Sequence, residues 1–363
     1  MLNLGTSEQA EVVIPLKQKP QLSLDDLTPI LFGAAAFQHL NAGCELGLFD
    51  LLHAKQNLTK AQIAKELNLK PRAIDILLLG TTALRLTENS DGVYRNSSVL
   101  TQLQKEETWQ IFKDVVAFEQ YIVYAGQVDF TASLRENSNV GLRQVPGKGR
   151  DLYHRLAENP DMQSVFYRYM HSWSELSNPL LFRHVDFATA RRVLDMGGGD
   201  GVNAIELARK FPHLEITILE IPGNAAVARS KIAGAGLSDR IKVHEHDMFE
   251  GNYPEGYDCV LFVHQLVIWT PEENIQLLRN AYRALSPGGR VVIFSSISDD
   301  AGTGPVMAAL DSVYFAAIPA EGGMIYAWHQ YEQWLREAGF TKIARQACGT
   351  WTPHGVVWAM KES

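Results

Sequence analysis

From Arg191 onward the chain repeats one unit: a short apolar run, a turn, and an amphipathic stretch. RRVLDMG reads as a strand entering a glycine turn, and NAIELARKF as the helix behind it. EITILEI and NAAVARSKIAGAG repeat the pair. IKVHEHDMF and YDCVLFVHQ are further strands, ENIQLLRNAYRAL a helix, and GGRVVIFSSI a strand. QYEQWLREAGF then reads as a helix, followed by strand-like TKIARQAC and GVVWAMK. Strands separated by helices pair through crossovers rather than tight hairpins. The pattern therefore predicts an α/β fold with a mainly parallel sheet covered on both faces. In such sheets ligands bind beyond the carboxyl ends of the strands.

The half before Arg191 lacks this rhythm. With 363 residues, 46% of them hydrophobic and 20% charged, the chain can bury two cores. Residues 1–23 are polar, with two prolines, and read as a loose tail. PILFGAAAFQHLNAGCELGLFDLL is helical in pattern. A helix Lys60 to Leu67, a turn, and a second helix Pro71 to Leu84 follow, with Pro71 suited to a first helical turn. Asn89 to Gly92 reads as a turn between two short strands. Helix, turn, helix and hairpin make a winged-helix pattern. Its second helix, PRAIDILLLGTTAL, carries Arg72 as its lone cation, whereas a helix that reads DNA needs side chains for phosphates and base edges. A helix this apolar suits packing in a core or against another subunit. The domain boundary is placed near His184 to Ala190, giving a helical unit over 24–185 and an α/β unit over 186–363.

The net charge of −8 argues against a nucleic-acid partner. Three cysteines, Cys44, Cys259 and Cys348, share no CxxC spacing, so neither a disulfide framework nor a thiolate zinc site is suggested. His244 and His246 share one strand face but lack a third ligand of obvious spacing, and no metal is expected. The first residues show no basic segment leading into an apolar run, so no signal peptide is expected. The apolar stretch from Cys259 to Trp269 is interrupted by His264 and Gln265 and is far short of a membrane span. A cytoplasmic protein with no membrane partner is the resulting expectation.

The chemistry concentrates at three consecutive strand ends. In LDMGGGDG, Asp195 ends a strand and Gly197, Gly199 and Gly201 form the turn, bringing bare backbone close to a ligand. The G-x-G-x-G spacing does not meet the dinucleotide fingerprint. Glu220 ends the next strand, where a carboxylate can accept both hydroxyls of a ribose. Asp247 ends the third, followed by Met248 and Phe249. A carboxylate there can accept from an exocyclic amine, and the two apolar side chains can face its ring.

On these residues the chain resembles the plant- and bacterial-type small-molecule O-methyltransferases. That family's DxGGGxG matches Asp195 to Gly201. Its D-L-P resembles Glu220 to Pro222, and its G-D-M-F resembles His246 to Phe249. The helices and winged helix of the N-terminal half look like the family's dimerisation domain. The resemblance covers the chain from about Leu24 to the end. It implies a Rossmann-like catalytic domain fused to a mainly α winged-helix domain, S-adenosylmethionine as cofactor, a small secondary-metabolite acceptor and a homodimer. It places the cofactor on Asp195, Gly197, Gly199, Gly201, Glu220, Asp247, Met248 and Phe249. It places the acceptor among Phe166, Met170, His171, Trp173 and Tyr314.

The chain departs from the family where the base should stand. Aligning Trp269 with the family's H-D-W motif puts Val267 at the histidine and Ile268 at the aspartate. Val263 takes a position often held by a basic residue. Ile325, in GGMIYAW, takes the position of the glutamate that orients the base. Methyl transfer rests largely on positioning, worth roughly 7–11 kcal/mol. A phenol of pKa about 10, however, is ionised to about one part in a thousand at pH 7, a cost of about 4 kcal/mol. A base recovers part of this. The replaced pair therefore argues against simple phenol etherification and favours a carbon, nitrogen or already acidic oxygen acceptor, aromatic or oxo-acid-like. His264, Tyr326 and His329 are the candidate acid-base residues. A regular strand would aim His264 away from the face of Val267. Two rival functions remain at this level: a non-methylating enzyme of the same fold (rearrangement, decarboxylation or hydroxylation) and a nucleoside-sensing winged-helix regulator.

Overall fold

The computed structural model describes residues 22–106, 108–350 and 352–362. The expected tail therefore lies almost wholly outside the described residues. The chain divides into two compact units, one ending at Ser97 and the other beginning at Ser98.

In the first unit, the helix Lys60–Glu66 starts where Thr59 and Gln62 cap each other's backbone reciprocally. The helix Pro71–Ala83 starts with its proline in the first turn. Strands β1 (Leu58–Thr59), β2 (Thr87–Ser90) and β3 (Val93–Asn96) form a small sheet in the order β1-β3-β2. Ser90 pairs with Val93 across Asp91 and Gly92, which take φ of 53° and 82°. Both are left-handed, as a two-residue hairpin turn with the strands' own twist requires. Leu48, Phe49, Leu52, Ile63 and Ile74 form the buried interior of this unit. The winged-helix expectation is met.

The second unit is built on strands β4 (Arg192–Met196), β5 (Glu215–Glu220), β6 (Ile241–Glu245), β7 (Tyr257–Val263), β8 (Leu285–Ser296), β9 (Thr341–Ala347) and β10 (His354–Met360). They lie in the order β6-β5-β4-β7-β8-β10-β9, parallel from β6 to β8, with β10 antiparallel to both neighbours. Side chains alternate between two cores. Leu194 and Met196 face Leu277, Tyr331 and Trp334, while Val193 faces Leu181, Phe187 and Leu207. The chain enters mid-sheet at β4, builds outward through β5 and β6, then returns to the other side of β4 with β7. Strand order reverses between β4 and β7, which opens a crevice at their carboxyl ends.

The boundary expected near His184 falls inside this second unit. The reason is the helix Pro160–His184: it packs on Trp109–Phe118, and its Leu180 and Leu181 share a core with β4. Among the described residues no helix is long and apolar enough to cross a membrane.

Candidate active site

The glycine turn is held by a carboxylate from the neighbouring strand. Gly197, Gly199 and Gly201 take φ of 66°, 58° and 84°, a region that strains any side chain. Glu220 Oε2 accepts the Gly199 N–H at 2.9 Å, and Oε1 accepts the Ile221 N–H at 2.9 Å and Asn224 Nδ2 at 3.2 Å. Burial pushes the Glu220 carboxyl up, and these three hydrogen bonds oppose it. A Cβ at Gly199 would meet nothing within 4 Å, so the turn presents open, bare backbone.

Asp195 does not share that wall. It is 1% exposed, and a Cβ on Gly198 would lie 2.6 Å from its Oδ2. Strand alternation carries its side chain beneath the turn rather than above it. Burial, then the Glu220 charge, pushes its carboxyl up to about 7. Gly201 likewise lies off the wall, set against Ile218 and Ile232 where the helix Val202–Lys210 begins.

A cavity of about 540 Å³ occupies the crevice, a volume usual for small-molecule sites. One half is walled by Gly197, Gly199, Glu220, Asp247, Met248 and Phe249. Asp247 Oδ1 accepts the Phe249 N–H at 2.9 Å, and the Phe249 ring stands edge-on to Trp269 at 5.0 Å. The other half brings together Phe166, Met170, Trp173 and Tyr314. His171, expected beside them, lies elsewhere. It points to Asp200, 3.0 Å away, which also takes Lys231. Burial works to raise the Asp200 carboxyl but is outweighed by these two hydrogen bonds, which hold it at about 2. His171 therefore ties the helix Pro160–His184 to the helix Pro222–Gly234.

The end of β7 corrects a second expectation. His264 takes φ of 56°, so the alternation of a regular strand stops there. His264 and Val267 consequently both face the cavity instead of opposite sides. His264 Nε2 lies 3.2 Å from Ser177 Oγ. Burial, then the nearby His354 ring at 5.1 Å, drives its pKa well below the usual histidine value. His264 is thus a neutral imidazole. Tyr326 and His329 do not reach the cavity wall. The Tyr326 hydroxyl lies 2.6 Å from the Trp269 carbonyl and 2.8 Å from that of Gly322, within reach of both acceptors. His329 sits on the surface beside Asp300, 3.1 Å from its Oδ1.

The positions of the family's base pair are filled by hydrocarbon. Val267 and Ile325, each 1% exposed, pack in one cluster with Ile268, Ala308 and Ala320. Ile325→Glu is expected to lower the unfolding free energy in urea by about 3–5 kcal/mol, because it buries a carboxyl without a partner. Adding Val267→His should return about 1–2 kcal/mol by restoring a partner. Equal stability of Ile325→Glu and wild type would show this contact to be open to solvent.

Several wall residues escaped the sequence reading. Gln265 Nε2 donates to the Gly197 carbonyl at 2.9 Å, joining β7 to the glycine turn. Tyr167 donates to Asn224 Oδ1, bringing the helix Pro160–His184 to the Glu220 network. Asp311 was detectable as the lone charge in the helix VMAALDSVYFAA. Neither Gln265 nor Tyr167 carries any such signal.

A family model described as an O-methyltransferase domain matches residues 129–341, and one described as an O-methyltransferase dimerisation domain matches residues 29–102. The chain belongs to this O-methyltransferase family; it is an S-adenosylmethionine-dependent methyltransferase of small molecules. An L-tyrosine C(3)-methyltransferase of Streptomyces lavendulae is 58% identical over 349 residues, 96% of this chain and 95% of that protein. The solved S-adenosylmethionine-dependent methyltransferase SibL, in its apo form, is 51% identical with a TM-score of 0.84, covering 94% of this chain and 100% of its own. PigF with SAH is 26% identical with a TM-score of 0.80, covering 94% and 100%.

Proposed function

We propose that this methyltransferase transfers its methyl group to the ring carbon beside the hydroxyl of a free phenolic amino acid of the tyrosine kind. The observation that carries this is the apolar cluster that Val267 and Ile325 share, where a phenol O-methyltransferase would hold a charged base pair. Without a base at the hydroxyl, the oxygen stays protonated and a weak nucleophile. The adjacent ring carbon still draws on the oxygen lone pair, so whichever atom the pocket aims at the methyl will react. The 58% identical L-tyrosine C(3)-methyltransferase supports the same acceptor class.

The residues fit the cofactor. Of about four lone-pair sites on its carboxylate, Glu220 gives three to its donors, and the remaining one would take a ribose hydroxyl. Asp247 would take the exocyclic amine, and Met248 and Phe249 would face the purine. The cofactor supplies an electrophilic methyl group on a sulfonium. The acceptor ring lies in an aromatic slot formed by Phe166, Trp173 and Tyr314, which excludes water. Formation of the carbon–carbon bond would return the carbon–sulfur pair to sulfur, releasing the neutral thioether. One ring proton must then leave to restore aromaticity, and we assign its removal to the neutral His264 imidazole, which lines the cavity.

We also infer that two copies associate through the segment matched by the dimerisation model. Within that segment Ile30, Leu31, Phe32 and Leu79 are exposed, apolar surface suited to a partner.

Incubating the pure protein with methyl-13C-labelled S-adenosylmethionine and L-tyrosine tests the reading. Carbon–proton correlation spectra of the product are expected to place the label on the ring carbon beside the hydroxyl. A label on oxygen or on the amino nitrogen would overturn it.

A further inference from the structure

The acceptor half of the cavity ends in a polar corner that the chemistry above leaves unused. On the helix Val306–Ala317, Ser312 turns back to the Ala308 carbonyl at 2.8 Å, whereas Asp311 faces the cavity. Glu119 leaves a π-helical turn, Glu119–Val123, the kind of irregular turn that gathers at functional sites. It stands near enough for the Asp311 charge to act on it. Tyr314, 7% exposed, lines the same end, and its hydroxyl makes no hydrogen bond to any described residue. Among the described residues no basic side chain pairs with either carboxyl, and Ser296 is the hydroxyl that reaches Asp311. The surrounding rings are Phe118, stacked on Tyr169 at 3.8 Å and edge-on to Tyr314 at 5.1 Å.

The Asp311 carboxyl and an unpartnered phenol line this aromatic-walled corner, with the Glu119 carboxyl near enough to feel the Asp311 charge, so the corner has surplus acceptors and no cation among the described residues. We propose that this corner binds the α-ammonium group of the acceptor, with Asp311 accepting from it directly, Glu119 as the second negative charge and Tyr314 completing the cradle. This rests on the amino-acid reading given above. A primary ammonium supplies three compact donors, and the aromatic faces attract it as well. Burial pushes Asp311 up to about 7, and burial with the Asp311 charge pushes Glu119 up to about 7. Holding both ionised in the free enzyme is unfavourable, and a cation at Asp311 relieves it. A carboxyl near neutrality could instead serve as a general base, and the two roles separate in kinetics.

The test compares L-tyrosine, tyramine and 3-(4-hydroxyphenyl)propanoate on the full chain. With wild type, tyramine is expected within about 10-fold of L-tyrosine in kcat/KM, and the propanoate about 100-fold lower or worse. Asp311→Asn should raise KM for L-tyrosine about 30-fold while leaving kcat within about 3-fold, and leave the propanoate unaffected. Equal use of L-tyrosine and the propanoate by wild type overturns the subsite, as does a loss confined to kcat in Asp311→Asn. Unchanged affinity of Asp311→Asn for S-adenosylhomocysteine certifies its fold; if it misfolds, the wild-type ligand series decides alone. Calorimetry of the three ligands on wild type saturated with S-adenosylhomocysteine ranks them without turnover. Ring methylation without amine preference removes the subsite and keeps the proposed reaction. Amine-selective binding without ring methylation does the reverse.

Discussion

Glu220→Ala is expected to weaken the binding of S-adenosylhomocysteine by about 100-fold or more, the largest loss from any single change in the cofactor half. A hydrogen bond to an ionised partner contributes roughly 1.5–3 kcal/mol, and the lone-pair site that Glu220 has left over would accept one from the ribose. The same side chain also holds the Gly199 N–H, so its removal frees the turn as well as the sugar. Glu220→Gln keeps one acceptor oxygen and replaces the other with a donor, so a loss of about 10-fold is expected. Because burial raises the Glu220 pKa, its charged form is lost at a higher pH than for an ordinary glutamate. Affinity should therefore begin to fall, as pH drops, above the usual carboxylate range. Titration calorimetry from pH 5 to 8 reads both effects. An alanine variant that binds as wild type does would remove Glu220 from the ribose site.

The same carboxylate shows what the sequence could and could not convey. LDMGGGDG, TILEIP and HEHDMF announced three strand ends because glycines, apolar runs and acids follow local rules of backbone and period. Glu220 and Asp247 duly stand on one cavity wall. Asp195 belongs to the same motif but lies beneath the turn, since which face a strand residue takes depends on pairing with β5 and β7. At His264 one left-handed residue redirected the segment, and nothing in VHQLVIW marks it. Tyr326 and His329 were singled out for nearness in sequence to Ile325. Backbone carbonyls and a surface aspartate claim them instead. Glu119 and Asp311 meet from segments almost two hundred residues apart, a juxtaposition that periodicity cannot signal. The domain boundary was misplaced for a related reason: the helix Pro160–His184 reads like its all-helical predecessors but buries its end against the sheet.

Replacing His264 is expected to have the largest effect on the chemical step. If the imidazole takes the ring proton, His264→Ala should lower kcat by about 10²- to 10⁴-fold, with the affinity for S-adenosylhomocysteine retained. The Ser177 hydroxyl reaches the Ser174 carbonyl at 3.4 Å and His264 Nε2 at 3.2 Å; when it donates to the carbonyl, its lone pairs accept from Nε2–H. Nδ1 is then the basic nitrogen. Phe294, Ser177 and His354 pack on this ring, the last pushed down to about 4 by burial, and among the described residues no carboxylate acts to hold a proton on it. The sign of the pH dependence follows. A depressed pKa keeps the imidazole neutral, and so competent as a base, while pH falls through 6.5; competence is lost only near the lowered value. At saturating acceptor, where the proposed ammonium partner keeps Asp311 and Glu119 ionised, kcat should stay level from pH 8 to below 6. A half-loss of kcat near pH 6.5 would mark an ordinary, hydrated histidine and would place the proton acceptor elsewhere in the cavity.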